Sequence, residues 1–191
     1  MKKIVLLGAP GCGKGTQSKF LVEKLNFFQL STGDLLRDQT SNKDSKYGQQ
    51  INDIMKKGDL VPDEIVINLI IEKIKSLKNE NVIFDGFPRN LHQARVLDES
   101  LKSVSISLDY AVLIDVDFKI LEQRIENRIK ESKNKEKRED DNVETLLKRI
   151  EVYKTNTFPI IEYYRKKGIL RDVNGMATIE NVSKEILKII N

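Results

Sequence analysis

A glycine-rich segment near the N-terminus constrains the fold more than any other feature of this chain. Residues 8–16 read Gly-Ala-Pro-Gly-Cys-Gly-Lys-Gly-Thr, between an apolar run, Ile4–Leu7, and a helical pattern, Lys14–Leu25. A glycine-rich turn between a buried strand and a helix lets backbone N–H groups converge on anionic oxygens, and Lys14 adds a positive charge. The sequence therefore predicts a phosphate-binding loop, which indicates a nucleoside triphosphate as ligand and phosphoryl transfer as chemistry.

Two positions inside this loop refine the prediction. The general pattern places Ser or Thr directly after the lysine to hold magnesium, whereas here Gly15 follows Lys14 and Thr16 comes next. Cys12 occupies a variable position. We interpret it as a small filling residue rather than a nucleophile, because activation needs an adjacent base and the only histidine, His92, is far away in sequence.

Short apolar runs alternate with helical patterns along the rest of the chain. This alternation predicts an α/β fold with a five-stranded parallel sheet flanked by helices. The predicted strands are Ile4–Leu7, Phe28–Leu30, Val82–Phe84, Ala111–Ile114 and Leu170–Val173. The predicted helices are Lys14–Leu25, Ile65–Leu77, Leu91–Leu101, Lys119–Ile129, Val143–Lys167 and Ile179–Ile190.

Two segments interrupt this alternation within a single predicted domain. Residues 31–60 form a polar helical insertion, and residues 128–141 form a charged one, leaving a core of residues 1–30, 61–127 and 142–191. Residues 128–138 carry six positive and two negative side chains. Such a run is typical of a solvated loop, and a basic lid that closes over phosphates is the functional alternative.

The composition is that of a soluble globular chain. With 191 residues, 39% hydrophobic and 32% charged, it suits one domain, and its single cysteine excludes an internal disulfide framework. The N-terminal apolar run is too short for a signal peptide, and no stretch approaches the length of a membrane span. We therefore expect a cytoplasmic location, no membrane partner and a monomer.

The formal net charge of +4 is compatible with nucleic acid or with small anionic ligands such as nucleotides. Aromatic residues make up 6% of the chain, tryptophan is absent, and Tyr and Phe do not cluster with arginines. A base-stacking surface is therefore not expected. We therefore expect small anionic molecules as substrates and no nucleic-acid partner.

Asp85 follows the strand Val82–Phe84, in the segment Phe84-Asp-Gly-Phe-Pro-Arg89. An aspartate at the carboxyl end of a strand beside a phosphate loop is placed to orient magnesium through water, and capping a turn or helix is its alternative role. Arg89 emerges from the same turn. Ligands of open α/β sheets bind outside the carboxyl ends of the strands, so both motifs should face one crevice.

Six motifs, in this order, resemble those of the adenylate kinases within the nucleoside monophosphate kinases. They are the loop of residues 8–16, Leu30-Ser-Thr-Gly-Asp-Leu-Leu-Arg37, Gly58-Asp-Leu-Val-Pro-Asp-Glu64, Asp85-Gly-Phe-Pro-Arg89 with Gln93, Arg138-Glu-Asp-Asp141, and Arg149. The resemblance covers nearly the whole chain, and Gly15-Thr16 is the family's form of the loop. It implies a P-loop NTPase-type fold and reversible, Mg²⁺-dependent phosphoryl transfer from ATP to AMP, giving two ADP.

The resemblance also implies roles for individual residues. The implied catalytic residues are Lys14, Arg89, Arg128, Arg138 and Arg149. The implied ATP-binding residues are Gly11, Cys12, Gly13, Lys14, Gly15, Thr16, Arg124, Arg128 and Gly175. The implied AMP-binding residues are Thr32, Arg37, Asp59, Leu60, Val61, Gly86, Phe87, Pro88, Arg89, Gln93, Arg138 and Arg149. Asp140 and Asp141 would organise the lid hinge.

Two positions bear on which monophosphate is accepted. Thr32 and Gln93 resemble the adenylate form, whereas relatives that prefer pyrimidines tend to carry Ala and Asn there. A carboxamide can pair with an adenine edge through two hydrogen bonds. AMP is therefore the expected acceptor. A UMP/CMP kinase and a nucleotide-gated binding module without phosphoryl transfer remain the alternatives.

The lid segment departs from the commoner bacterial pattern. Nine residues separate Arg128 from Arg138, too few for the long lid of many relatives. Some long lids hold a structural zinc through cysteines, but this segment contains neither Cys nor His. We expect a short lid without zinc.

Overall fold

The computed structural model describes residues 1–77, 80–131 and 143–190. Five strands form its sheet: β1 (Lys3–Leu7), β2 (Phe28–Ser31), β3 (Val82–Asp85), β4 (Tyr110–Asp115) and β5 (Leu170–Asn174). The α-helices are α1 (Lys14–Leu25), α2 (Thr32–Ser41), α3 (Gly48–Lys56), α4 (Asp63–Ser76), α5 (Leu91–Ser103), α6 (Phe118–Glu131), α7 (Val143–Val152), α8 (Phe158–Lys166) and α9 (Ile179–Ile190). The predicted α/β fold is confirmed.

The sheet is entirely parallel, with the strand order β2-β3-β1-β4-β5. Helices cover both of its faces, so β1 is buried along its whole length and reads as an uninterrupted apolar run rather than an alternating one. Because all five strands run in the same direction, their carboxyl ends lie at one edge. The loops that follow β1, β2 and β3 leave from that edge.

Alternate side chains of the three central strands, β1, β3 and β4, enter two separate hydrophobic clusters. Val5 and Leu7 of β1 belong to the cluster that contains apolar residues of α2, α3, α4, α5 and α8. Ile4 and Leu6 point to the opposite face and belong to the cluster that contains residues of α1, α6, α7 and α9. This two-residue period is the ordinary consequence of strand geometry. It determines which helix lies beside each polar side chain near the strand ends.

The segment predicted as one helix over Val143–Lys167 contains a π-helical turn, Tyr153–Thr157, between α7 and α8. Two side chains in this turn donate to carbonyls four residues earlier, Thr155 Oγ1 to Glu151 O and Asn156 Nδ2 to Val152 O. Pro159 has no N–H to offer the carbonyl of Thr155. Side-chain donors and a missing backbone donor together favour the wider turn.

The insertion predicted for residues 31–60 is built from α2 and α3. Ser31 caps α2, since its Oγ accepts a hydrogen bond from the Asp34 N–H at 3.2 Å. Leu36, Ile51 and Met55 turn inward to the cluster on this face of the sheet. Among the helices described, none is long and apolar enough to cross a membrane.

Two adjacent tyrosines of α8 allow a matched test of how much a tyrosine hydroxyl contributes to stability with and without a hydrogen-bond partner. Tyr164 is fully buried, and within the described part of the chain its hydroxyl has no hydrogen-bond partner. The Tyr163 hydroxyl donates to Asp98. Burial raises the pKa of Tyr164, and burial together with the Asp98 hydrogen bond raises the pKa of Tyr163 to about 12, so both phenols are protonated at neutral pH.

We expect Tyr164→Phe to leave the free energy of unfolding unchanged or to raise it by up to about 1 kcal/mol, because it removes an unpaired buried hydroxyl. Tyr163→Phe should lower it by about 1 kcal/mol through loss of the bond to Asp98. Urea denaturation at pH 7 measures both values. A larger loss for Tyr164→Phe than for Tyr163→Phe would contradict this account.

Candidate active site

A crevice of about 910 Å³ opens at the carboxyl edge of the sheet. This volume lies near the upper end of the roughly 300–1,000 Å³ typical of ligand sites. Residues from the loop after β1, from α2, from the turn after β3 and from α7 line its walls. The crevice therefore lies where parallel α/β sheets bind their ligands.

The loop after β1 has the backbone conformation of a phosphate cradle. Gly8, Gly11 and Gly13 all have positive φ angles, of 141°, 84° and 106°. At Gly8 a side chain is also excluded by space, because a Cβ would lie 2.5 Å from Cys12 Sγ and 2.7 Å from Ile114 O. Successive N–H groups in such a loop, followed by the N-terminus of α1, form a concave site for anionic oxygens.

Lys14 is folded back onto this loop. Its Nζ donates to Gly8 O at 2.7 Å and to Ala9 O at 3.1 Å, and it lies 3.7 Å from Cys12 Sγ. The two carbonyls are neutral acceptors, so they orient the lysine without forming an ion pair with it. A phosphate oxygen can replace the carbonyls with a stronger, charge-assisted bond. Cys12 itself is buried under the loop and does not line the crevice, as expected for a filling residue.

Asp85 ends β3 and lines the crevice. One of its carboxylate oxygens, Oδ2, accepts hydrogen bonds from Gln29 Nε2 at 2.9 Å and from Ser18 Oγ at 3.4 Å. Within the described residues, no group of three or more His, Cys, Asp or Glu side chains is placed to hold a metal ion. A single carboxylate beside a phosphate loop suits a cation that arrives with the nucleotide and keeps several of its waters.

The turn after β3 packs closely against the start of α2. Thr32 is buried, and its Oγ1 donates to Gly86 O at 2.7 Å. Gly86 has a φ of 78°, and a Cβ there would lie 2.7 Å from Thr32 Oγ1, so the position accommodates only glycine. The peptide bond between Phe87 and Pro88 is cis. Phe87 turns into the core, and Pro88 lines the crevice.

Arg89 is held at the crevice wall by three neighbours. Its Nε donates to Gly86 O at 2.7 Å, its N–H donates to Gln93 Oε1 at 2.7 Å, and its carbonyl accepts from Thr157 Oγ1 at 2.8 Å. Backbone and side chain are thus both oriented by hydrogen bonds. The guanidinium is delivered to the crevice from a rigid turn rather than from a flexible loop.

Gln93 lies away from the crevice lining. It is buried on α5, where its Nε2 donates to Asp63 Oδ1 at 2.7 Å and its Oε1 accepts from Arg89 N. Both ends of the carboxamide are therefore engaged by the protein. His92, its neighbour on α5, is exposed to solvent.

Arg37 and Asp34 line the crevice together from α2, and the Arg37 guanidinium pairs with the Asp34 carboxylate. Arg124 of α6 also lines the crevice, and its Nη2 donates to Gly175 O at 2.9 Å. Gly175 thus supports this arginine from behind the lining. Helices α2 and α6 each contribute one arginine to the crevice.

Helix α7 forms one wall of the crevice, to which it contributes Arg149. The same helix also contacts the insertion of residues 31–60. Thr145 Oγ1 donates to Lys56 O at 2.9 Å, and Lys148 Nζ lies 2.7 Å from Asp59 Oδ1. Asp59 is thus both a crevice residue and the partner of a lysine on α7. A hydrogen bond and an ion pair thus connect the end of the insertion to the helix that carries Arg149.

The structure brings most predicted site residues to this one crevice. Those that line it are Gly11, Gly13, Lys14, Gly15, Thr16, Arg37, Asp59, Leu60, Val61, Asp85, Gly86, Pro88, Arg89, Arg124 and Arg149. Cys12, Thr32, Phe87, Gln93 and Gly175 lie directly behind residues of the lining. Arg138, Asp140 and Asp141 lie outside the described residues, and so does the side chain of Arg128, whose backbone belongs to α6.

The lining also contains residues that were not among the predicted site residues, and Gln29 and Tyr153 are two of them. Gln29 lies on β2, one residue before Leu30. Tyr153 follows Arg149 by four residues in a helical pattern, and this spacing was the available signal that both side chains share a face. Burial is the main cause that raises the pKa of Tyr153, so its hydroxyl is protonated at neutral pH.

A phosphate loop after the central strand of a five-stranded parallel sheet, together with arginines on several walls of one crevice, defines a nucleotide-dependent phosphotransferase. The positive groups match the charge that a transferring phosphoryl group spreads over its oxygens. This is the class of protein to which the fold and site belong.

Comparison with known proteins identifies the family within this class. The family model described as adenylate kinase matches residues 6–169. The adenylate kinase of Leptospira biflexa is 41% identical over 191 residues, which cover 100% of both chains. That of Parvibaculum lavamentivorans is 45% identical over 185 residues, 96% of this chain and 89% of the relative. That of Thermus thermophilus is 42% identical over 183 residues, 96% and 94% respectively. The chain belongs to the adenylate kinase family.

The buried bonds of Gln93 generate a prediction about stability. Gln93→Leu should lower the free energy of unfolding by about 1–3 kcal/mol, because the Arg89 N–H loses its acceptor and Asp63 loses one of its donors at a partly buried place. His92→Leu, at the exposed neighbouring position, is the control and should change it by less than about 0.5 kcal/mol. Thermal or urea unfolding provides the measurement. Unchanged stability in Gln93→Leu would show that these two bonds contribute little.

Proposed function

We propose that this crevice transfers the γ-phosphoryl group of Mg-ATP reversibly to AMP, producing two ADP and so balancing the adenine nucleotides of the cell. The single observation that carries this proposal is the convergence of Lys14, Arg37, Arg89, Arg124 and Arg149 on one crevice beside a phosphate loop. A site for one nucleotide would not require cationic side chains from the loop after β1, α2, the turn after β3, α6 and α7 together. Two anionic substrates do require them.

On the donor side, the loop N–H groups of residues 11–16 would bind the ATP phosphates. Lys14 would exchange its carbonyl partners for a phosphate oxygen and follow the phosphoryl group during transfer. Arg124, held by the carbonyl of Gly175, would lie against the adenine of ATP. The guanidinium plane suits stacking on a base, as a compact ammonium does not.

On the acceptor side, Arg37 and Arg89 would clamp the AMP phosphate. Guanidinium groups bind phosphate through two parallel hydrogen bonds and so fix its orientation as well as its charge. Asp59, Leu60, Val61 and the turn of residues 86–88 would form the nucleoside wall. Thr32 and Gln93 would read the adenine, and for this Gln93 exchanges its Asp63 bond for the base edge.

Catalysis in this arrangement consists of positioning and positive charge. Arg149, on α7, lines the crevice, and Arg128 and Arg138 of the lid would complete the set on closure. The reacting oxygens would then be held in line, with the developing charge opposed by fixed guanidinium groups. We assign no general base.

Magnesium would be held chiefly by the nucleotide phosphates, with Asp85 orienting one of its waters. The Asp85 carboxylate at the end of β3 fits this role, because one of its oxygens is tied by Gln29 and Ser18. When bound, the ion shields the phosphate charges and fixes their geometry. We propose no zinc site, since residues 128–141 contain neither Cys nor His.

We propose that residues 31–60 and residues 128–141 act as two closing segments. Closure over the crevice would exclude water, which otherwise competes with AMP for the phosphoryl group. We further propose a cytoplasmic monomer, with nucleotides as its substrates and neither nucleic acid nor membranes as partners. The single cysteine is consistent with a reducing compartment.

Initial rates with Mg-ATP and, in parallel, AMP, UMP, CMP or GMP test the proposal. We expect diphosphate formation with AMP at least 100-fold faster in kcat/KM than with any other acceptor, because a site built to bond one base rejects others strongly. Preference for UMP or CMP would retain the phosphate chemistry and reject the adenine assignment. Binding of ATP by folded protein without transfer to any acceptor would favour a binding module.

Arg89→Ala tests the arginine mechanism. We expect kcat/KM to fall by roughly 100- to 10,000-fold, since the guanidinium opposes charge on the reacting phosphates. Arg95→Ala, at an exposed arginine of α5 outside the crevice lining, is the matched control and should retain activity. A folded Arg89→Ala variant with the parent rate would remove Arg89 from the mechanism.

A further inference from the structure

The Asp85 carboxylate has a neighbour on β2 that its proposed role leaves unexplained. Gln29 lies on the sheet face covered by α1, and its Nε2 donates to Asp85 Oδ2 at 2.9 Å. Ser18, fully buried on α1, donates to the same oxygen at 3.4 Å. The first distance is that of a good hydrogen bond and the second that of a weak one. Gln29 is therefore the main contact that orients this carboxylate.

Both donors bind one oxygen of Asp85 and not the other. Within the described residues, Oδ1 receives no hydrogen bond, and Asp85 lines the crevice. A free carboxylate rotates about its terminal bond with little resistance. The bond from Gln29 removes that freedom and leaves Oδ1 as the oxygen available to a ligand.

The chemical type of Gln29 matters as much as its position. A lysine or arginine at this place would also orient the carboxylate, but it would cancel the negative charge that attracts a hydrated cation. An amide donates a hydrogen bond while remaining neutral. Outer contacts of this kind commonly determine how a ligating carboxylate meets its metal.

We propose that Gln29 is a positioning residue that holds Asp85 for the hydration shell of the nucleotide-bound magnesium. The inference rests on the proposed function, in which Asp85 orients a magnesium-bound water. In this proposal Gln29 acts on the ion through its hydrogen bond to Asp85. Its effect passes through the orientation of Asp85.

Gln29→Met removes the amide and keeps a side chain of similar length. We expect the free Mg²⁺ concentration for half-maximal rate to rise about tenfold, kcat at saturating Mg²⁺ to fall less, and the KM for AMP to change less than twofold. As a readout independent of turnover, the Mn²⁺ affinity of the enzyme–ADP complex, measured by electron paramagnetic resonance, should weaken by a similar factor.

Gln49→Met is the matched control. Gln49 Nε2 also donates to an aspartate, Asp53 Oδ1, at 2.9 Å, but on the exposed surface of α3 and away from the crevice lining. It should show the parent's Mg²⁺ dependence and Mn²⁺ affinity. If Gln29→Met fails to fold, Gln29→Asn, which keeps the amide and withdraws it by one methylene, provides the same comparison.

The outcomes separate this inference from the proposed function. If the parent enzyme transfers phosphate to AMP while the folded variant keeps the parent's Mg²⁺ dependence and Mn²⁺ affinity, the positioning role of Gln29 is overturned and the proposed function stands. A fall in rate that is equal at every Mg²⁺ concentration, with unchanged Mn²⁺ affinity, also overturns it. A parent enzyme that transfers no phosphate to AMP rejects the proposed function itself.

Discussion

Parallel pairing of β2, β3 and β1 is the constraint on which the rest of the site depends. Asp85 of β3 pairs with Leu6 of β1 on one side and with Ser31 of β2 on the other. Because the three strands end in register, the phosphate loop, the start of α2 and the turn carrying Arg89 all leave from one edge. A shift of one residue in any pairing would turn Asp85 or Gln29 to the opposite face of the sheet.

Several positive groups of the crevice donate to neutral acceptors, whereas Arg37 pairs with the Asp34 carboxylate. Lys14 rests on loop carbonyls, Arg89 on the carbonyl of Gly86, and Arg124 on that of Gly175. A carbonyl dipole orients a cation without neutralising it, so the crevice retains the field that attracts polyphosphate. Asp85 is oriented in the same way, because its main partner is the neutral amide of Gln29, which leaves the negative charge of the carboxylate in place. Hydrogen bonds to neutral partners thus orient both cationic side chains and an anionic side chain of the site.

The helices and strands were largely predictable because local pattern and burial agree. The predicted bounds of α1 and α9 match those observed, and the other helices and the strands begin or end within a few residues of their predicted positions. The spacing of hydrophobic residues did not reveal the π-helical turn at Tyr153–Thr157 or the division of residues 31–60 into α2 and α3. Both depend on individual hydrogen bonds, such as those of Thr155 and Asn156, and not on hydrophobic period.

By itself, the sequence determined the class of chemistry. The loop of residues 8–16 and the arginines of the six motifs are short-range patterns, and both indicate phosphate binding. Only the tertiary structure decided which side chains face the crevice. Gln93 is bonded to Asp63, 30 residues away, and Gln29 reaches Asp85 across 56 residues. The reason is physical: such bonds form between groups that the packing of helices on a parallel sheet brings together, and no local period in the chain records that encounter.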